Sequence, residues 1–179
     1  MGLMNIGLCI LLLKVLLLLF IVWQDVTYRA VYWFLFPLLV ALEIAAQTIS
    51  IIPMDVYLLN VGLNVLMITI QIAVLYIYFK YIRKIDNLFA KAFGLGDLLM
   101  LFCFACAFPF AGFILFCLIT FVLSILLVLF VRLLKKDISA SVPLAGIQAG
   151  IYCMLIIVNY LHALPILSLN YWLFNFMSI

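Results

Sequence analysis

Long apolar runs alternate with short polar breaks along the whole chain, and neither the twofold alternation of a half-buried strand nor a polar helical face recurs. The runs fall at about 4–24, 31–51, 56–79, 93–108, 111–131 and 142–162, the fourth and the fifth being short. At ~1.5 Å of rise per residue the first is long enough to cross a bilayer. The breaks are Gln24 to Arg29, Ile52-Pro53-Met54-Asp55, Lys80 to Lys91, Phe108 to Gly112, and Arg132 to Ser141. This pattern predicts an all-α membrane protein of about six transmembrane helices, read as one integral-membrane domain over 1–179. The tail 163–179, with Tyr171, Trp172 and Phe174, reads as an interfacial segment.

Composition agrees. The chain is 72% hydrophobic and 8% charged, whereas a soluble domain is nearer 45–50% apolar and about 25% charged. The first run lacks a basic start and a small-x-small cleavage site, which makes it a retained helix rather than a signal peptide. A net charge of +3 is no footprint for nucleic acid, because the cations sit between spans. Arg29 lies in the first connection, Lys80, Arg83, Lys84 and Lys91 in the third, and Arg132, Lys135 and Lys136 in the fifth. The second and fourth connections and the tail have none. The positive-inside rule then places the odd connections in the cytoplasm and both termini outside.

The chemistry resides in a few polar residues that lipid penalises. An ionised carboxylate costs about 2.5–3.5 kcal/mol at mid-membrane on insertion scales, so one that persists has a partner or a function. Asp25 closes the first run and Asp97 opens the fourth, within Gly94-Leu95-Gly96-Asp97. On the predicted topology both lie at the cytoplasmic face and share a depth. Two carboxylates a few ångströms apart cannot both ionise; they share one proton. The ionised member can then take a proton from water while the neutral member hydrogen-bonds a carbonyl. Arg29, four residues after Asp25, makes a favourable pair with it if the segment is helical. Gly94 and Gly96 lack Cβ atoms, which allows close approach of another backbone or unusual dihedrals.

Three features taken together resemble the prepilin peptidases, including the archaeal preflagellin peptidases, a family of Gly-x-Gly-Asp intramembrane aspartyl proteases. They are Asp25-Val-Thr-Tyr-Arg29 after the first span, Gly94-Leu-Gly-Asp97 after a basic loop, and Val142-Pro143-Leu-Ala-Gly146 opening the last span. The resemblance implies an aspartic-type endopeptidase that removes basic leaders from type IV prepilin-like precursors at the cytoplasmic membrane face. It implies Asp25 and Asp97 as the catalytic pair, with Gly94, Gly96, Arg29 and Pro143 in support. It also implies a multi-pass protein of a bacterial or archaeal inner membrane whose partners are a membrane-protein substrate and lipid, and no cofactor or metal. The family's methyltransferase segment, with two Cys-x-x-Cys pairs, has no counterpart, so no methylation is expected. The chain departs from the family at Leu99, where lysine is common, and at Val31-Tyr32-Trp33, where Ile-Pro-Asn is common.

Other readings use the same residues. An inactive homologue keeps the fold, and a small transporter or scaffold would use the intramembrane charges to bind a cation or hold helices. A presenilin or signal-peptide-peptidase relative shares Gly-x-Gly-Asp but has Tyr-Asp in the earlier motif and a late Pro-Ala-Leu. Here Gln24 precedes Asp25 and the late motif is Pro143-Leu144-Ala145. Lys14 and Glu43 fall at similar depth in neighbouring antiparallel spans and are expected to form a structural ion pair, with a proton path as the alternative. Cys103-x-x-Cys106 has no second ligand pair and reads as packing. His162, at the outer end, is read as interfacial. Asn60, Asn64, Gln71, Gln148 and Asn159 are candidate interhelical hydrogen-bonders.

Overall fold

The structure is a computed structural model that describes residues 2–50, 52–82, 84, 94–134 and 144–162. Regular structure among them is entirely helical: α1 (Gly2–Tyr28), α2 (Leu35–Ile49), α3 (Met54–Ile77), α4 (Leu95–Ala107), α5 (Phe110–Leu134) and α6 (Leu144–His162), with a π-helical turn Tyr78–Ile82 extending α3. Three of these contain segments long and apolar enough to cross a membrane, Ile6–Tyr28, Met54–Tyr81 and Phe110–Leu127, so the fifth run, expected to be short, is among the long ones; the apolar parts of α2, α4 and α6 are shorter. The bundle's exterior is apolar, with Leu12, Leu16 and Leu19 on α1, Leu58 and Leu66 on α3, and Leu118, Ile119 and Val122 on α5 exposed. An apolar exterior of that extent belongs against lipid, so this is a membrane protein.

One helix end differs from the hydropathy reading. Polarity rises at Gln24 and Asp25, but the backbone stays helical through Tyr28 and places Asp25 inside the last turn of α1. Arg29 ends the helix in the left-handed region, φ 55°, while its N–H donates to the Asp25 carbonyl at 3.1 Å. For a residue with a Cβ that conformation costs roughly 1–2 kcal/mol. Nearby, buried Gln24 accepts a hydrogen bond from the Tyr32 N–H at 3.1 Å, which folds the connection back onto α1.

Short α4 is the hub: it packs against α2, α3, α5 and α6 and buries Met100, Leu101, Cys103, Phe104 and Ala105. The Phe104 ring lies 4.6 Å from that of Phe116 and 5.4 Å from that of Tyr152. Cys103 is buried and its thiol faces the Phe36 carbonyl at 3.5 Å, in keeping with a packing role. The break after α4 frees backbone groups, because Pro109 has no N–H to continue the helix. Two asparagines one turn apart on α3 satisfy them. Asn64 donates to the carbonyls of Ala105 (2.9 Å) and Phe108 (2.8 Å), and Asn60 accepts from the Phe110 N–H at 3.0 Å.

The expected intramembrane ion pair is present, Lys14 Nζ to Glu43 Oε2 at 2.7 Å. The Tyr152 hydroxyl donates to the other Glu43 oxygen at 2.8 Å, so one carboxylate ties α1, α2 and α6 together. Breaking a buried pair from one side leaves an uncompensated charge, at about 3–5 kcal/mol. Lys14→Met is therefore expected to lower the melting temperature in detergent sharply. Lys14→Met combined with Glu43→Gln is expected to recover much of that loss, and melts of the two single and the double variants measure the coupling.

Candidate active site

The C-terminal end of α1 and the N-terminal ends of α4 and α6 converge on the two aspartates. Asp97 occupies the third position of α4, whose N-cap is Gly94 in extended conformation (φ −72°, ψ 137°). Its carboxylate reaches back over the Gly94 N–H, the geometry of the acidic half of a capping box. Asp25 comes from the last turn of α1 and is buried. Chain position alone would leave them on separate elements; the first turn of α6 joins them.

Two successive amides do this. The Ala145 N–H donates to Asp97 Oδ1 at 3.0 Å, and the Gly146 N–H donates to Asp25 Oδ2. The two carboxyl groups are thus brought to neighbouring amides of one helical turn, where their charges interact. An α-helix presents unpaired N–H groups and about half a positive charge at its start. Here that end offsets part of the repulsion between the carboxyls, and each keeps a second oxygen not used by α6. Two carboxyl groups so placed can hold a water and hydrogen-bond a carbonyl.

Glycine is required where α6 meets α1. A Cβ on Gly146 would stand 2.9 Å from Asp25 Oδ2 and 3.2 Å from Asp25 Cβ, closer than carbon normally comes. Gly150, one turn on, would bring a Cβ 3.9 Å from Val22, an ordinary contact. With buried Ala145 and Ala149 they form a small-residue face like those that let membrane helices pack backbone to backbone. The spacing Gly146-x-x-x-Gly150 is the signal in the chain for this contact, beyond the motif reading of Val142 to Gly146.

The other motif residues are placed as follows. No described glycine has positive φ, so Gly94 and Gly96 do not use glycine's special dihedrals. A Cβ on Gly94 would meet Asp97 Oδ2 at 3.1 Å, whereas the nearest atom to one on Gly96 is Phe36 Cζ at 4.0 Å. Space beside the carboxylate is what Gly94 supplies. Arg29 lies just past the end of α1 in the left-handed region, its N–H still bonded to the Asp25 carbonyl. Pro143 and Val142 lie outside the described residues. Leu99, Tyr32 and Trp33 are exposed. A separate cavity of about 290 Å³ opens at the opposite end, lined by Lys14, Glu43, Gln47, Tyr57, Asn60 and Tyr152 among others, away from the aspartates.

No family model, curated protein or solved structure matches the chain.

Overpacking a tight helix contact costs about 1–3 kcal/mol. Gly146→Ala is therefore expected to destabilise the protein by that order and to push α6 off Asp25, while Gly150→Ala leaves the melting temperature nearly unchanged. Paired thermal melts in detergent check the contrast.

Proposed function

We propose that this chain is a membrane-embedded aspartyl endopeptidase of the prepilin-peptidase type. One observation carries the reading: Asp25 and Asp97, distant in sequence, are each bound by one of two consecutive amides at the start of α6. The ionised carboxylate would deprotonate a water held between the pair, and the protonated one would donate to the scissile carbonyl and stabilise its developing oxyanion. The family reading rests on the motifs and their order along the chain. On it, six spans cross a bacterial or archaeal inner membrane with both termini outside. The site then opens at the cytoplasmic face, where water and a basic leader both arrive.

Position supports the same chemistry. Asp25 is buried while Asp97 is half-buried, so the pair sits at an edge that water reaches from one side. The substrate would be a single-span precursor whose leader ends at that edge. A second reading, a small transporter or scaffold, draws on the Lys14–Glu43–Tyr152 cluster beneath the opposite cavity; it requires no peptide cleavage.

Purified protein in liposomes is expected to cut a prepilin-like precursor, and Asp25→Asn and Asp97→Asn are each expected to reduce the rate about 10²-fold or more while remaining folded. One variant cutting at the wild-type rate would show the pair to be misassigned. No cutting by wild type across a panel of leaders would favour the transporter or inactive-homologue reading.

A further inference from the structure

The face of α6 that binds Asp97 through Ala145 continues one turn further to Gln148. This side chain is 0% exposed, and neither Oε1 nor Nε2 has a hydrogen-bond partner among the described residues. No other buried side chain among them leaves two polar atoms unpaired. A buried polar group without a partner is costly and calls for an explanation. The next turn of α6 makes the contrast: buried Tyr152 donates its hydroxyl proton to Glu43.

Gln148 lies three residues past Ala145, about 4.5 Å deeper along the helix. Its level on the neighbouring helix follows from register. The Tyr152 ring packs on Phe116 at 6.3 Å, and α5 runs antiparallel to α6. One turn back from Tyr152 is Gln148; one turn on from Phe116 is Thr120, and the next is Ser124. Both are buried, and both spend their hydroxyl protons on their own helix, Thr120 on the Cys117 carbonyl (3.0 Å) and Ser124 on the Thr120 carbonyl (2.7 Å). On this register Thr120 lies at the level of Gln148 and Ser124 lies nearer that of the aspartates, so buried polar positions on α5 and α6 share these depths. Beyond Ser124, α5 carries exposed Ile125, Leu126, Leu127, Leu129 and Phe130. Among the described residues, this C-terminal part of α5 therefore packs on little of the bundle, which makes it the side from which a substrate chain would approach.

A primary carboxamide offers one acceptor and two donors, the complement of a single peptide unit. A transmembrane substrate must unwind to be cut, and its freed N–H and C=O groups then need partners in apolar surroundings. We propose that Gln148 is a substrate-binding residue that hydrogen-bonds the main chain of the unwound substrate, entering between α5 and α6, beside the Asp25–Asp97 pair. This rests on the protease reading and adds a recognition rule to it. Because the contact is to backbone, its contribution is the same whatever residues flank the scissile bond.

Gln148→Leu tests this with two readouts. Cleavage by the full-length protein in liposomes is expected to lose at least tenfold in kcat/KM, by a similar factor for precursors of differing sequence around the cut. In an Asp97→Asn background, where binding is read without cleavage, Gln148→Leu is expected to weaken capture of a fluorescent precursor at least tenfold. The melting temperature should hold or rise, since the variant removes unpaired polar atoms from the interior. Unchanged cleavage and binding, or losses that parallel a fall in melting temperature, overturn the proposal. Wild type that binds a precursor through Gln148 without cutting it refutes the protease reading alone. Wild type that neither cuts nor binds overturns both.

Discussion

The architecture of the site depends on one arrangement, the start of α6 set against two carboxylates. Each aspartate is an expensive group in an apolar bundle, and each α-helix begins with N–H groups that its own backbone cannot satisfy. Placing Ala145 and Gly146 against Asp97 and Asp25 answers both needs together. It also brings the acids to neighbouring amides of one helical turn. The same contact joins α6 to α1 and to the start of α4. A Cβ at Gly146 would occupy the space Asp25 needs, so the small residue and the carboxylate form a single fitted unit.

Elsewhere the bundle matches several polar groups at membrane depth to partners on other helices. Asn60 and Asn64 cover the backbone groups released where Pro109 interrupts α4 and α5. Glu43 shares its two oxygens between Lys14 and Tyr152. These contacts join helices that apolar packing alone would leave free to slide, since lipid is as apolar as the leucines on the exterior. Against that background, the unpaired Gln148 carboxamide is an exception close to the aspartates. Departures from local polar economy are most informative where chemistry is expected.

Much of this is legible in the residues. Six apolar runs predict the positions of six helices, and all six are observed, with boundaries shifted by a few residues. Asp97 stands out through Gly94-Leu95-Gly96, and Asp25 through its cost in an apolar run. The pairing of Lys14 with Glu43 follows from equal depth in adjacent antiparallel spans. Hydropathy misplaces the end of α1 because it falls at Gln24, while hydrogen bonding persists to Arg29. Polarity marks where lipid ends; it does not mark where a helix ends.

The sequence by itself determined which segments are apolar enough to be helices in a membrane, and which polar residues within them need a partner. Those properties are local: they come from transfer free energies and helical rise, and require no knowledge of neighbours. Tertiary structure alone decided that α6, rather than the motif loops, brings the aspartates together. It also decided that Gly146 leaves no free space for a Cβ beside Asp25, and that Gln148 is buried without a partner. Each of these depends on the rotation and depth of one helix against another. Apolar faces on every side leave those two variables undetermined along the chain, and only the fitted contacts between helices set them.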